Sequence, residues 1–239
     1  MVRRPAALLI AAYGLALAYF LVAPALPDVG GAGDLNTAVS DVPATFLLAS
    51  CVLVLVPARD DWAALALIVA GAGLLAGAVT VAGSAPLAGI TKPLFAGAAG
   101  MLLARVLADP AVAIAVPLFA AGIDAGSVAG GTSQLLSRAG SGTHDFLTVY
   151  LPAWGGGRAG LLGLADLIFL GFFAASAWRF GMRRRVTGAA LLAALPATVG
   201  IQLAVDTTVP AIPVLAAALL LPNLDRLPAL ARRLGERPA

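Results

Sequence analysis

The feature that most constrains this chain is a series of apolar runs, each near 20 residues long and separated by short polar breaks. A helix crossing ~30 Å of hydrocarbon needs about 20 residues at ~1.5 Å each. Eight runs meet or approach that length: 6–26, 43–58, 62–82, 86–104, 111–136, 159–179, 186–205 and 209–222, the second and last being short. Inside lipid every backbone N–H and C=O must be bonded within its own segment or a closed barrel, so runs of this length predict helices. Hydrophobic residues make up 61% of the 239 positions and charged ones 11%, against about 25% charged in soluble domains. The expected fold is all-α, a polytopic transmembrane bundle of about eight (eight to nine) helices. Residues 1–239 read as one integral membrane domain: N-terminal helices in 1–109, a second set in 110–222 and a tail from 223 to 239. Met1-Val2-Arg3-Arg4 followed by apolar Ala6 to Val22 resembles a signal peptide, but the apolar stretch exceeds the usual ~7–15 residues, which favours a retained first helix.

Basic residues set the expected orientation, because cytoplasmic loops collect positive charge. With the N-terminus inside and every run crossing once, Arg3, Arg4, Arg59, Arg105, Arg179, Arg183, Arg184, Arg185, Arg226, Arg232, Arg233 and Arg237 all fall on the inner side. Only Arg138 and Arg158 fall outside, and Lys92 lies within the fourth run. This distribution predicts a multi-pass protein of the cell (plasma) membrane with both termini cytoplasmic and the 137–158 loop outside.

Several function classes drop out at this point. The net charge of +3 comes from arginines between apolar runs, with no basic patch interleaved with aromatics, so a nucleic-acid partner is not expected. One cysteine, Cys51, allows neither a disulfide framework nor a cysteine zinc site, and a single histidine, His144, removes most metal and Ser-His chemistry. His144 and Asp145, near Ser141 and Thr143 in a Gly-rich loop, read as a solvated loop rather than a triad. Lys92, just before Pro93, reads as a lysine reaching to the interface or to a carbonyl, and Arg183-Arg184-Arg185 as a topology signal touching anionic lipid. Gly73, Gly77 and the many alanines between 62 and 104 read as close helix packing.

The acids carry the functional reading. Of twelve, ten (Asp28, Asp34, Asp41, Asp60, Asp61, Asp109, Asp145, Asp206, Asp225 and Glu236) fall in expected loops or helix ends. Asp124 and Asp166 lie deep in consecutive apolar runs with no basic residue within a turn, about twelve and seven residues from the outer ends of their helices. A charge in hydrocarbon costs a few kcal/mol or more, so an intramembrane acid marks a functional site by default. Two facing carboxylates do not both ionise cheaply; one keeps a proton while the other is charged. The charged partner can take a proton from an attacking water while the protonated one hydrogen-bonds a peptide carbonyl, which is aspartic protease chemistry and needs no cofactor and no metal. The same acids also suit proton or ion carriage in a transporter, or a bond to a neighbouring hydroxyl such as Ser127, Thr132, Thr198 or Thr207.

The order of motifs Ile123-Asp124, then Gly163-Leu164-Ala165-Asp166-Leu167-Ile168-Phe169, then Val209-Pro210-Ala211-Ile212-Pro213-Val214 resembles the presenilin and signal peptide peptidase family of intramembrane aspartyl proteases. That family pairs a Tyr-Asp helix with a Gly-x-Gly-Asp helix and a later Pro-Ala-Leu segment. The resemblance covers roughly 111–222. It implies that Asp124 and Asp166 are the catalytic dyad and that Gly163 allows close backbone approach. It also implies that Pro210, Ala211, Ile212 and Pro213 form a non-helical stretch orienting the substrate, and that the partners are transmembrane peptide or protein substrates and membrane lipid. Ala165 stands where the family has its second glycine, Ile123 where it has tyrosine, and eight crossings stand against nine. The orientation is closer to signal peptide peptidase than to presenilin. Alternatives are a proton-coupled transporter, a catalytically inactive homologue, and a prepilin-peptidase-type protease, which lacks support because Leu167 to Ser176 holds no charge and no cysteine cluster exists.

Overall fold

The computed structural model of the chain describes residues 3–29, 33–107, 109–130, 144–156 and 158–230. In order the elements are α1 (Arg3–Val22), α2 (Gly33–Leu53), α3 (Trp62–Val81), α4 (Ala85–Val106), α5 (Val112–Ala129), β1 (Thr148–Pro152), β2 (Arg158–Gly163), α6 (Leu164–Arg179), α7 (Arg184–Val205) and α8 (Ala211–Leu220). Each of the eight apolar runs carries one helix. Among the described residues six are long and apolar enough to cross a membrane, while α6 has 16 residues and α8 only 10 before a 3-10 turn, Leu221–Asn223, that contains Pro222. Their surface is the surface of a protein in lipid: Ile10, Leu67, Leu74, Val81 and Phe119 are all at least 70% exposed, an apolar exterior that water would not tolerate at this extent.

Two sequence expectations change. The run 159–179 is not helical throughout. Residues 158–163 form β2, which pairs antiparallel with β1 through Thr148↔Gly163, Val149↔Leu162 and Tyr150↔Leu161. Gly160 and Gly163 weaken a helix, and Thr148, Val149 and Tyr150 favour a strand, so the hairpin satisfies this backbone and delays α6 to Leu164. The all-α expectation therefore holds for the bundle but not for this insertion. Next, α2 begins at Gly33, so most of the expected loop 27–42 is helix. The fifth run is helical from Val112 to Ala129, its outer part to 136 lying outside the described residues, together with Arg138, Ser141, Thr143 and the tail beyond 230.

The core is built on α6. Leu167, Leu170, Phe172, Phe173, Ala174 and Ala177 are fully buried. Its tightest neighbour is α4, where small residues let the two backbones touch: a Cβ on Gly100 would sit 2.0 Å from the Ile168 carbonyl oxygen, and one on Gly171 2.5 Å from that of Gly97. Close approach through small residues is how helices associate when lipid offers no hydrophobic gain. Gly77, by contrast, faces open space.

One end of the bundle gathers the basic residues. Arg59 pairs with Asp60 at 2.9 Å, Arg105 donates to the Asp60 carbonyl, and Arg179 donates to the Arg105 carbonyl at 3.4 Å. Arg183 pairs with Asp225 at 2.9 Å, and Arg226 donates to the Gly181 carbonyl. The breaks α2/α3, α4/α5 and α6/α7 and the end of α8 thus share one face, as alternating crossings require. The β1–β2 hairpin belongs to the opposite half of the bundle.

Candidate active site

The same-end geometry sets the level of the two acids. Asp124 is twelve residues along α5 from Val112, about 18 Å from the basic end, and Asp166 is thirteen residues before Arg179, about 20 Å from it. They therefore lie at nearly the same depth on antiparallel helices. Asp166 is the third residue of α6 rather than seven residues into a longer helix. Its depth comes from the helix starting late, after the hairpin.

Each carboxylate holds a backbone N–H at the start of a helix. Gly163, extended at φ −66° and ψ 138°, is the residue before α6, and its N–H donates to Asp166 Oδ2 at 3.2 Å. An acid at the third helical position reaching back in this way is half of a capping box; glycine has no side chain to return the bond. Asp124 Oδ2 accepts from the N–H of Ile212 at 3.0 Å, in the first turn of α8, where unpaired donors and the positive end of the helix dipole favour a carboxylate. Both bonds land on Oδ2. The two acids are half-buried and stand within electrostatic reach of one another. Among the described residues no cation pairs with either.

The residues singled out from sequence therefore come together: Asp166 with Gly163, Asp124 with Ile212, and the two acids with each other. The proline segment needs correction. Only Pro210 is extended, at φ −67° and ψ 132°, as the residue capping α8; Ala211, Ile212 and Pro213 are its first helical turn. Proline fits there because the N–H it lacks would have no intrahelical partner. Of the hydroxyl alternatives, Ser127 Oγ donates to the Asp124 backbone carbonyl rather than its carboxylate and Thr198 Oγ1 to Ala194 of its own helix, while Thr132 lies outside the described residues.

Two further charges matter. Lys92, 1% exposed in α4, donates from Nζ to the Thr148 carbonyl at 2.6 Å, so it does reach a carbonyl, that of the first residue of β1. Asp41, assigned to a loop from sequence, is 5% exposed inside α2, and its Oδ1 has no hydrogen-bond partner among the described residues. It faces the β2 backbone, where a Cβ on Gly160 would lie 2.3 Å from Oδ2. The spacing Leu35, Val39, Val42 was the available sign that this segment is helical. Beside it, Ser40 Oγ accepts from the Trp154 N–H, Trp154 Nε1 donates to the Tyr19 hydroxyl, and Asn36 Nδ2 donates to the Trp154 carbonyl, tying the hairpin turn to α1 and α2.

No family model, no curated protein and no solved structure matches the chain.

Proposed function

We propose that this protein is an intramembrane aspartyl protease of the presenilin and signal peptide peptidase type, hydrolysing peptide bonds in transmembrane segments through Asp124 and Asp166. The observation that carries the reading is that these two carboxylates lie at one level within electrostatic reach of each other, with Ile212 of the third motif bonded to one and Gly163 of the second bonded to the other. Of three short motifs far apart in sequence, all converge on one site, which is what the family resemblance implies.

The chemistry follows from the pair. One carboxylate, charged, takes a proton from water as the water oxygen bonds to the scissile carbonyl carbon. The other, protonated, gives its proton to the carbonyl oxygen, forming a gem-diol. Collapse of that intermediate breaks the C–N bond, and the leaving nitrogen takes a proton from the first acid while the second regains one from a hydroxyl. The bonds to Gly163 and Ile212 hold each Oδ2, and in this reading Oδ1 of each acid is the oxygen that meets water and substrate. A substrate helix must unwind to present its carbonyl, and its freed backbone groups need partners at this depth. Among the described residues β2 pairs only with β1, so its outer edge is suited to an added strand running toward Asp166.

Replacing either acid by Asn tests the reading. Asp124→Asn and Asp166→Asn should each reduce cleavage of a reporter transmembrane helix in proteoliposomes to background while the thermal melt stays near native. Cleavage retained in either variant overturns it. Asp41, a third buried acid, favours one competing reading, a proton-coupled transporter. In that case proton-driven solute uptake would depend on Asp124 and Asp166, and no reporter would be cut.

A further inference from the structure

Lys92 is the chain's only lysine, every other basic residue being arginine, and it is among the most completely buried side chains. It sits on α4, the helix that also holds α6. One and two turns further along α4, Gly97 and Gly100 press against Gly171 and Ile168 of α6, backbone to backbone. Toward the opposite end Lys92 Nζ grips the Thr148 carbonyl at 2.6 Å. Thr148 is the strand partner of Gly163, and the Gly163 N–H is the donor to Asp166 Oδ2. A single helix thus fixes both sides of the joint in which Asp166 lies: α6 below through the glycines, and the hairpin above through the lysine.

We infer that Lys92 is a positioning residue for Asp166: by holding β1 against α4 it holds Gly163, through the strand pair, where its N–H meets the carboxylate. The inference rests on the protease reading for its activity arm. A charged donor to a carbonyl makes a short, strong bond in a dry setting, and a hydrogen bond to an ionised group is worth enough to change a rate by roughly tenfold or more. An apolar residue at position 92 would avoid the cost of burying an ammonium but would leave the first residue of β1 without this anchor.

The experiment compares native protein, Lys92→Met, which keeps length and removes donor and charge, and Lys92→Arg, which keeps both, in proteoliposomes. Hydrogen exchange should be about tenfold faster at the amides of Leu161 to Gly163 in Lys92→Met, with α6 amides beyond Leu170 unchanged. Reporter cleavage should lose about tenfold in kcat with KM within about twofold, and its pH–rate profile should be displaced; Lys92→Arg should recover most of both. Unchanged exchange in Lys92→Met overturns the inference. So does faster exchange with native kcat and an undisplaced profile, which is the behaviour of a residue that only stabilises. A native chain that cuts no reporter sinks the protease reading, and the Gly163 exchange result then decides the positioning claim alone. If Lys92→Met fails to fold, Lys92→Arg with native exchange and kcat supports the inference, and Lys92→Arg with the donor kept but Gly163 exchange accelerated overturns it.

Discussion

Asp166 and Asp124 are held in different ways. Asp166 opens the most buried helix of the bundle, whose backbone rests directly on that of α4 at Gly97 and Gly100. Asp124 belongs to α5, where only Ala113, Pro117 and Ala120 are buried and Phe119 and Ile123 face outward. It packs chiefly on α8, with fewer contacts to α6. One carboxylate is part of the frame, and the other is brought to it from the periphery by the Ile212 N–H. Stability and assembly of the pair are therefore separable properties, set on opposite sides of the site.

Substitutions along this contrast should fall in a definite order. Gly100→Ala has the largest effect: its methyl would meet the Ile168 carbonyl oxygen at 2.0 Å, and backbone cannot yield as a side chain does. The expected cost is about 1–3 kcal/mol or more, seen as a lowered thermal melt in detergent together with lost cleavage. A native melt for this variant would show that the α4–α6 contact is not what fixes Asp166. Ile212→Pro comes next. It removes the N–H donated to Asp124 at a first-turn position where proline is tolerated. Cleavage should fall about 10- to 100-fold, the weight of a hydrogen bond to a charged group, with a modest drop in melt because Ile212 is 7% exposed and proline fills less of its place; an unchanged rate would mean that Asp124 does not depend on α8. Smallest is Gly126→Ala, two residues beyond Asp124 on α5, where a Cβ meets nothing within 4 Å. Its melt should stay equal or rise slightly, since alanine gains up to about 1 kcal/mol over glycine inside a helix, and cleavage should stay within about twofold. A collapse of the melt would contradict the peripheral placement of α5.

The same contrast explains what could be read from the sequence. The helices were legible because apolar runs in a chain this poor in charge have few other ways to satisfy their backbone. Asp124 and Asp166 were legible because each stands alone in such a run. The hairpin was not, since Ala159 to Gly163 is as apolar as the helix it precedes and its strand partner lies in what read as a polar loop. The proline segment suggests a non-helical stretch because proline breaks helix interiors, but in a first turn the same residue starts a helix. Asp41 is hidden because Gly30 to Asp34 has the composition of a loop and masks the start of α2, so that an acid buried by tertiary packing has the local sequence of a solvated one. The pull of Lys92 on Thr148 joins residues 56 apart, a pairing no local pattern reveals.

The most direct test of the paired carboxylates is labelling of the purified protein by a photoreactive transition-state-analogue inhibitor of aspartic proteases, comparing the native chain with Asp124→Ala and Asp166→Ala. If the two carboxylates form one site, the native protein labels and loss of either acid abolishes labelling while the variants keep their fold. A folded native chain that does not label, or a single-acid variant that labels as well as native, would contradict that pairing.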